Sequence, residues 1–143
     1  MTTRILFLCT GNRARSQMAE GLARLLARPE VEIASAGTKP NPRGVHPVAI
    51  ETLRARGADT GPLRPKHVDE LHGEFDYVIT LCDSAAQECP TFPARRGRLH
   101  WGQPDPDAAG DDPLKLRAMF ADLATNLETL LRDWLGGQGL LKP

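Results

Sequence analysis

The segment Cys9-Thr10-Gly11-Asn12-Arg13-Ala14-Arg15-Ser16 brings together a thiol, a glycine, two guanidinium groups and two hydroxyls. A loop of this length between a strand and a helix can curl its backbone N–H groups around a tetrahedral oxyanion, with the helix N-terminus adding partial positive charge. Arg15 then grips two of the anion's oxygens at once, a geometry that its planar fork provides and a lysine does not. The same field favours the thiolate form of Cys9 and makes it a nucleophile. Ser16 can donate a hydrogen bond to that thiolate. Cys-x5-Arg alone is weak, since about one cysteine in twenty has an arginine six residues on at average usage. Context makes it specific: an apolar run before it, a helical pattern after it, glycine inside and serine next. Arg13 is either an extra cation for the anion or a solvated surface charge, the second being the simpler reading. Asn12 can brace the loop through its side-chain amide.

Two more cysteines, Cys82 and Cys89, make the total three. An odd count argues against a disulfide framework and leaves reactive thiols, metal ligands or small buried hydrophobes. Zinc takes about four ligands and usually a Cys-x2–4-Cys pair. These cysteines offer no such pair, so no metal is expected. His46, His67, His72 and His100 lack ligand-like spacing and read as surface or capping residues.

The chain has 143 residues, 41% hydrophobic and 25% charged, the composition of one soluble domain. Eighteen basic residues balance eighteen acidic ones, which argues against a nucleic-acid or anionic-membrane partner. Apolar stretches fall far short of the ~20 residues that span a bilayer. The N-terminus lacks the pattern of a secretory signal, so a cytoplasmic location is expected.

Residues 4–9 form a continuous apolar run, as in a strand buried on both faces. Met18, Ala19, Leu22, Leu25 and Leu26 then recur at helical spacing from Ser16, a good N-cap, until Pro29. Residues 31–36 and 75–81 predict further strands, the last ending at Cys82. Residues 98–101 are a weaker fourth candidate. A helix opens near Pro47 and stops at Gly57, and a short one is possible at 68–71. Leu116, Phe120, Leu123, Leu127, Leu130 and Trp134 trace one apolar stripe, with Pro113 in the first turn and Gly136-Gly137 as the stop. Trp101 is expected to pack near the end of the sheet. This pattern implies an α/β fold: one doubly wound sheet of about four parallel strands flanked by helices over residues 1–135, with a flexible tail at 136–143. Such sheets bind ligands at the carboxyl ends of their strands, where Cys9 and Cys82 both lie.

The stretch ILFLCTGNRARSQMAEG, residues 5–21, resembles the signature of the low-molecular-weight phosphatase fold, and in particular of its thioredoxin-coupled arsenate reductases. Residues 35–38 (SAGT), 80–82 with 89–93, and His100-Trp101-Gly102 leading to Asp105-Pro106 agree with that branch. The resemblance implies arsenate as substrate, held by Thr10, Gly11, Asn12, Arg13, Ala14 and Arg15. It further implies Cys9 as nucleophile with Arg15 and Ser16, and Asp105 as general acid, although Asp-Pro alone reads as a turn. Cys82 would attack Cys9 to expel arsenite and Cys89 would attack Cys82, leaving a disulfide for external thioredoxin with no bound cofactor. Two alternatives stand beside this reading: a phosphatase acting through a Cys9 phosphoenzyme, and a non-catalytic oxyanion-binding module.

The chain departs from the family at two places. The loop at 62–66 often carries an acidic residue that helps bind potassium together with positions matching Asn12, Glu20 and Ser35; here Lys66 either occupies the cation's place or is a solvated surface charge. Gln103-Pro104 replaces the usual Phe-Asp before Asp105, and Asp107 follows Pro106, which alters the stiffness and closure of the acid loop. If residues 83–88 form a helix, the seven steps from Cys82 to Cys89 put those two residues ~10 Å apart, beyond the ~7 Å that a disulfide tolerates. The segment 82–93 is therefore expected to unwind on oxidation.

Overall fold

β1 (Arg4–Leu8) is the apolar run, and four of its five residues are buried because it lies inside the sheet. The computed structural model describes residues 2–83 and 92–143. Cys89 and the expected helix at 83–88, save Asp83, lie outside the described residues. The other strands are β2 (Glu32–Ala36), β3 (Phe75–Thr80) and β4 (Ala94–His100), and the helices are α1 (Arg15–Leu26), α2 (Pro47–Ala55) and α3 (Pro113–Gln138). The strands run in the order β2-β1-β3-β4, and every pairing is parallel.

One face of the sheet carries the main core. Ile5, Phe7 and Ile79 meet Met18, Ala19 and Leu22 of α1, Leu53 of α2, and Leu116, Phe120, Leu123, Leu127 and Leu131 of α3. On the other face, Leu6, Leu8, Ala36, Phe75 and Val78 pack with Phe92 and with Val68 and Leu71 around a 3-10 turn, Val68–Glu70. Tyr77 shares the main-core face with Ile79, whereas Phe75, two residues earlier and across a register shift, faces the other side. Tyr77 meets the Trp134 ring edge-on, and Trp101 packs between Phe7 and Trp134.

Three boundaries differ from the sequence expectation. β4 starts at Ala94, four residues before the expected strand, because Arg95, Arg96 and Arg98 mask it; charged side chains are usual on an exposed edge. α1 starts at Arg15 with Ala14 as its cap residue, so Ser16 is not the N-cap but lies in the first turn. α3 runs through Gly136-Gly137 to Gln138, and the stop is Gly139, whose φ of 72° is the left-handed conformation that ends helices. Beyond it the chain is tied to the end of α1: Arg28 N–H donates to Leu140 O (2.8 Å) and Lys142 N–H to Leu26 O (2.9 Å). Among the described residues, no helix is long and apolar enough to cross a membrane.

Candidate active site

The loop from Cys9 to Ala14 leaves the carboxyl end of β1, and its carbonyls are occupied from outside. Lys39 N–H donates to Thr10 O, Asn41 N–H to Gly11 O and His46 N–H to Arg13 O, at 2.9–3.0 Å. Gln17 Nε2 donates to Asn12 O (2.9 Å). In a trans peptide the N–H points opposite to the carbonyl. The amides of Gly11, Asn12, Arg13 and Ala14 are therefore turned away from these partners, toward the hollow of the loop. Gly37, the residue after β2, must lack a side chain: a Cβ there would overlap Thr10 O and come within 2.7 Å of Cys9 O.

Asn12 holds this shape. It is fully buried with a φ of 48°, a left-handed conformation that asparagine tolerates better than most residues. Its Nδ2 donates to Ser16 Oγ (2.7 Å) and Ser35 Oγ (3.0 Å), and its Oδ1 accepts from Lys66 N–H (2.9 Å). Ser16 Oγ lies 2.8 Å from Cys9 Sγ. Asn12 occupies one lone pair of that hydroxyl, and once Cys9 is a thiolate the Ser16 proton is the one available to this contact. This bond explains why Ser16 is not used as a cap.

Cys9, Thr10, Gly11, Arg13, Ala14, Arg15, Asn41, Asp105 and Asp107 line a cavity of about 160 Å3. The expected anion-binding residues thus line it, apart from Asn12, whose side chain faces the brace. Arg15 is buried; its Nη1 donates to Gln103 O (3.1 Å) and its Nη2 lies 3.9 Å from Asp105 Oδ2. Asp105 caps a 3-10 turn, Pro106–Ala109, with its Oδ1 accepting from Asp107 N–H (3.0 Å).

Arg13 is not the solvated surface charge of the simpler reading, being only 5% exposed. Its Nε donates to Asp107 Oδ2 (3.1 Å) and its Nη1 to Gly44 O (2.9 Å). His46 caps α2 by accepting from Val48 N–H through Nδ1 (3.1 Å), and its Nε2 lies 3.5 Å from Asp107 Oδ1. Burial, and after it the Arg13 charge, push His46 below the usual imidazole range despite Asp107. The ring is therefore neutral at pH 7, with its proton on Nε2. Asn41, His46 and Asp107 were not singled out as site residues from sequence; the Arg13–Asp107 pair joins positions 94 residues apart.

Cys82 is fully buried at the end of β3, and neither it nor Cys9 is in a disulfide. Leu8 pairs with Thr80, and Leu81 N–H donates to Leu8 O (2.9 Å). Cys9 and Cys82 therefore leave the carboxyl ends of two adjacent parallel strands.

The potassium position implied by the family resemblance is filled by this chain's own cation. Lys66 Nζ lies 3.7 Å from Glu20 Oε1, Ser35 Oγ donates to the same oxygen (2.6 Å), and Asn12 completes the group. Burial pulls Lys66 below the usual lysine range while Glu20 opposes this. These residues do not fit a potassium ion beside the ammonium.

A family profile described as low molecular weight phosphotyrosine protein phosphatase matches residues 4–142. The chain is 42% identical over 113 residues to an arsenate reductase of Halalkalibacterium halodurans, covering 78% of this chain and 80% of that protein. Among solved structures, an arsenate reductase from Archaeoglobus fulgidus superposes with a TM-score of 0.69 at 30% identity, covering 89% of this chain and 98% of that one. A thioredoxin-dependent arsenate reductase of Corynebacterium glutamicum gives 0.66 at 27% identity over 96% of this chain and 64% of that one. A thiol at the floor of an amide-lined loop, with an arginine and an aspartate beside it, is thus joined by a match along nearly the whole sequence: the chain belongs to the low-molecular-weight phosphotyrosine protein phosphatase family.

Proposed function

We propose that the chain reduces arsenate to arsenite, with Cys9 as nucleophile and thioredoxin as the external reductant. The observation that carries this reading is the cavity over Cys9. At about 160 Å3 it is about half the smallest volume usual for organic ligands, and none of the described residues that line it is aromatic. It suits a bare tetrahedral anion better than an aryl phosphate.

The loop amides and Arg15 hold the arsenate oxygens and balance their charge. The Cys9 sulfur, 2.8 Å from the Ser16 hydroxyl, attacks arsenic(V) as thiolate and forms an S–As bond. One arsenic oxygen leaves as water, taking its last proton from Asp105. Oδ2 is the oxygen suited to give it, since Oδ1 is engaged with Asp107 N–H. Cys82 then attacks the Cys9 sulfur. The S–As bond breaks with its electron pair passing to arsenic, which departs as arsenic(III), and a Cys9–Cys82 disulfide remains.

Cys9 is 2% exposed and Cys82 fully buried, so an external dithiol has poor access to a bond between them. Cys89 solves this by attacking Cys82, freeing Cys9 as thiolate. The Cys82–Cys89 disulfide then takes two electrons and two protons from thioredoxin. Such a cycle needs a reducing compartment, and we assign the enzyme to the cytoplasm. In an assay coupling arsenite release to thioredoxin oxidation, wild type turns over repeatedly while Cys89→Ser stops after about one arsenite per chain. Sustained wild-type turnover by Cys89→Ser would refute the relay.

A further inference from the structure

In the proposed reaction Asp105 must meet a departing oxygen within hydrogen-bond distance, yet it stands on a loop with an unusual sequence. What holds that loop is a set of contacts around Asp107. Its carboxylate accepts from Arg13 Nε (3.1 Å) through Oδ2, while Oδ1 lies 3.5 Å from His46 Nε2. Its backbone N–H donates to Asp105 Oδ1 (3.0 Å). One residue thus links the acid to two side chains at least nine-tenths buried.

Both of those side chains are anchored elsewhere. Arg13 belongs to the anion loop and also donates to Gly44 O (2.9 Å). His46 donates its N–H to Arg13 O (3.0 Å) and caps α2, and its ring packs on Phe120 of α3, with centroids 4.7 Å apart. Because Nδ1 accepts from Val48 N–H, the proton of the neutral ring faces the Asp107 carboxylate. The anion loop, α2 and α3 therefore converge on the acid loop at a single carboxylate.

We propose that Arg13, His46 and Asp107 form a latch that positions Asp105 over Cys9, so that Arg13 serves the reaction mainly through the acid loop. The inference rests on the arsenate-reductase reading for its chemistry, while the latch itself is a statement about the loop. All three are positioning residues. Asp107 is about one-third exposed in its side chain, so its replacement leaves the core intact.

The decisive test is a double-mutant cycle on single-turnover arsenite release. Asp107→Ala is expected to lower the rate at least tenfold with less than a twofold change in the arsenate concentration for half-saturation. Asp107→Asn, which keeps an acceptor for Arg13 but loses the charge, should fall between it and wild type. On an Asp105→Asn background, Asp107→Ala should cost less than twofold further, because the residue through which it acts is already disabled. An equal loss on both backgrounds would overturn the proposal. Hydrogen exchange supplies a readout independent of activity: the backbone amides over 105–110 should exchange at least tenfold faster in Asp107→Ala and in Arg13→Gln. Unchanged exchange in both would also overturn it. If wild type released no arsenite, the functional reading would fail while the exchange measurement still tested the latch.

Discussion

Replacing Asn12 tests how the nucleophile is prepared. Asn12→Ala removes two donated bonds, to Ser16 and Ser35, and the acceptor of Lys66 N–H. Each lost bond costs about 1 kcal/mol, and an amide left without an acceptor in a part-buried site costs about 1–3 kcal/mol. Holding alanine at a φ of 48° adds about 1 kcal/mol. The expected loss of about 4–6 kcal/mol is a large share of the 5–15 kcal/mol typical of a domain, and urea unfolding followed by tryptophan fluorescence reads it directly. Asn12→Gly loses the same bonds but accepts the backbone angle, so it should be the more stable of the two by up to about 1 kcal/mol. Both changes release the Ser16 hydroxyl from its fixed orientation. A hydrogen bond to a charged group is worth about 1.5–3 kcal/mol, so Cys9 should alkylate at least roughly tenfold more slowly at neutral pH. Unfolding midpoints within experimental error of wild type, together with an unchanged alkylation rate, would refute the claim that Asn12 braces the loop and orients Ser16.

Two further predictions concern charge. His46 is held below its ordinary 6.5 by burial and by Arg13, with Arg43 adding to this and Asp107 and Asp105 opposing it. The native state therefore binds fewer protons than the unfolded chain below about pH 6.5. Stability contributed by neutral His46 is fully present above that pH and is lost as pH falls through the depressed native value; His46→Gln should show a shallower loss between pH 7.5 and 5 in urea titrations, and parallel curves would contradict it. With the Lys66 ammonium beside Glu20, exchanging sodium for potassium at constant ionic strength should change kcat/KM for arsenate less than twofold. Activation by potassium of tenfold or more would show that the lysine does not do the work of the ion.

Much of the site was legible because its parts are local. The apolar run of β1, the glycine in the loop and the helical spacing after Ser16 sit within about twenty residues and locate Cys9 and Arg15. Asn12 as a brace also follows from its place in that loop. The rest depends on contacts between distant residues. Arg13 looks like a surface charge until Asp107, 94 residues away, comes to meet it. His46 declares its role as a cap through Pro47 and Val48, but nothing nearby in sequence indicates its approach to Asp107. β4 was partly hidden because an edge strand is stabilised by pairing with β3 while its arginines face solvent. The extension of α3 through two glycines goes with tertiary contacts beyond them, Tyr77 OH donating to Gln138 Oε1 (3.0 Å) and Arg28 N–H to Leu140 O (2.8 Å), which offset the ~1 kcal/mol penalty of each glycine.

The central claim is that oxidation begins at Cys9 and leaves through Cys82 and Cys89. Incubating reduced protein with excess arsenate and no reductant, then alkylating, digesting and mapping thiols by mass spectrometry, tests it most directly. The account predicts about one arsenite per chain, a Cys82–Cys89 disulfide and an alkylated Cys9. Three alkylated cysteines with no arsenite formed, or arsenite released while Cys82 and Cys89 stay reduced, would contradict it.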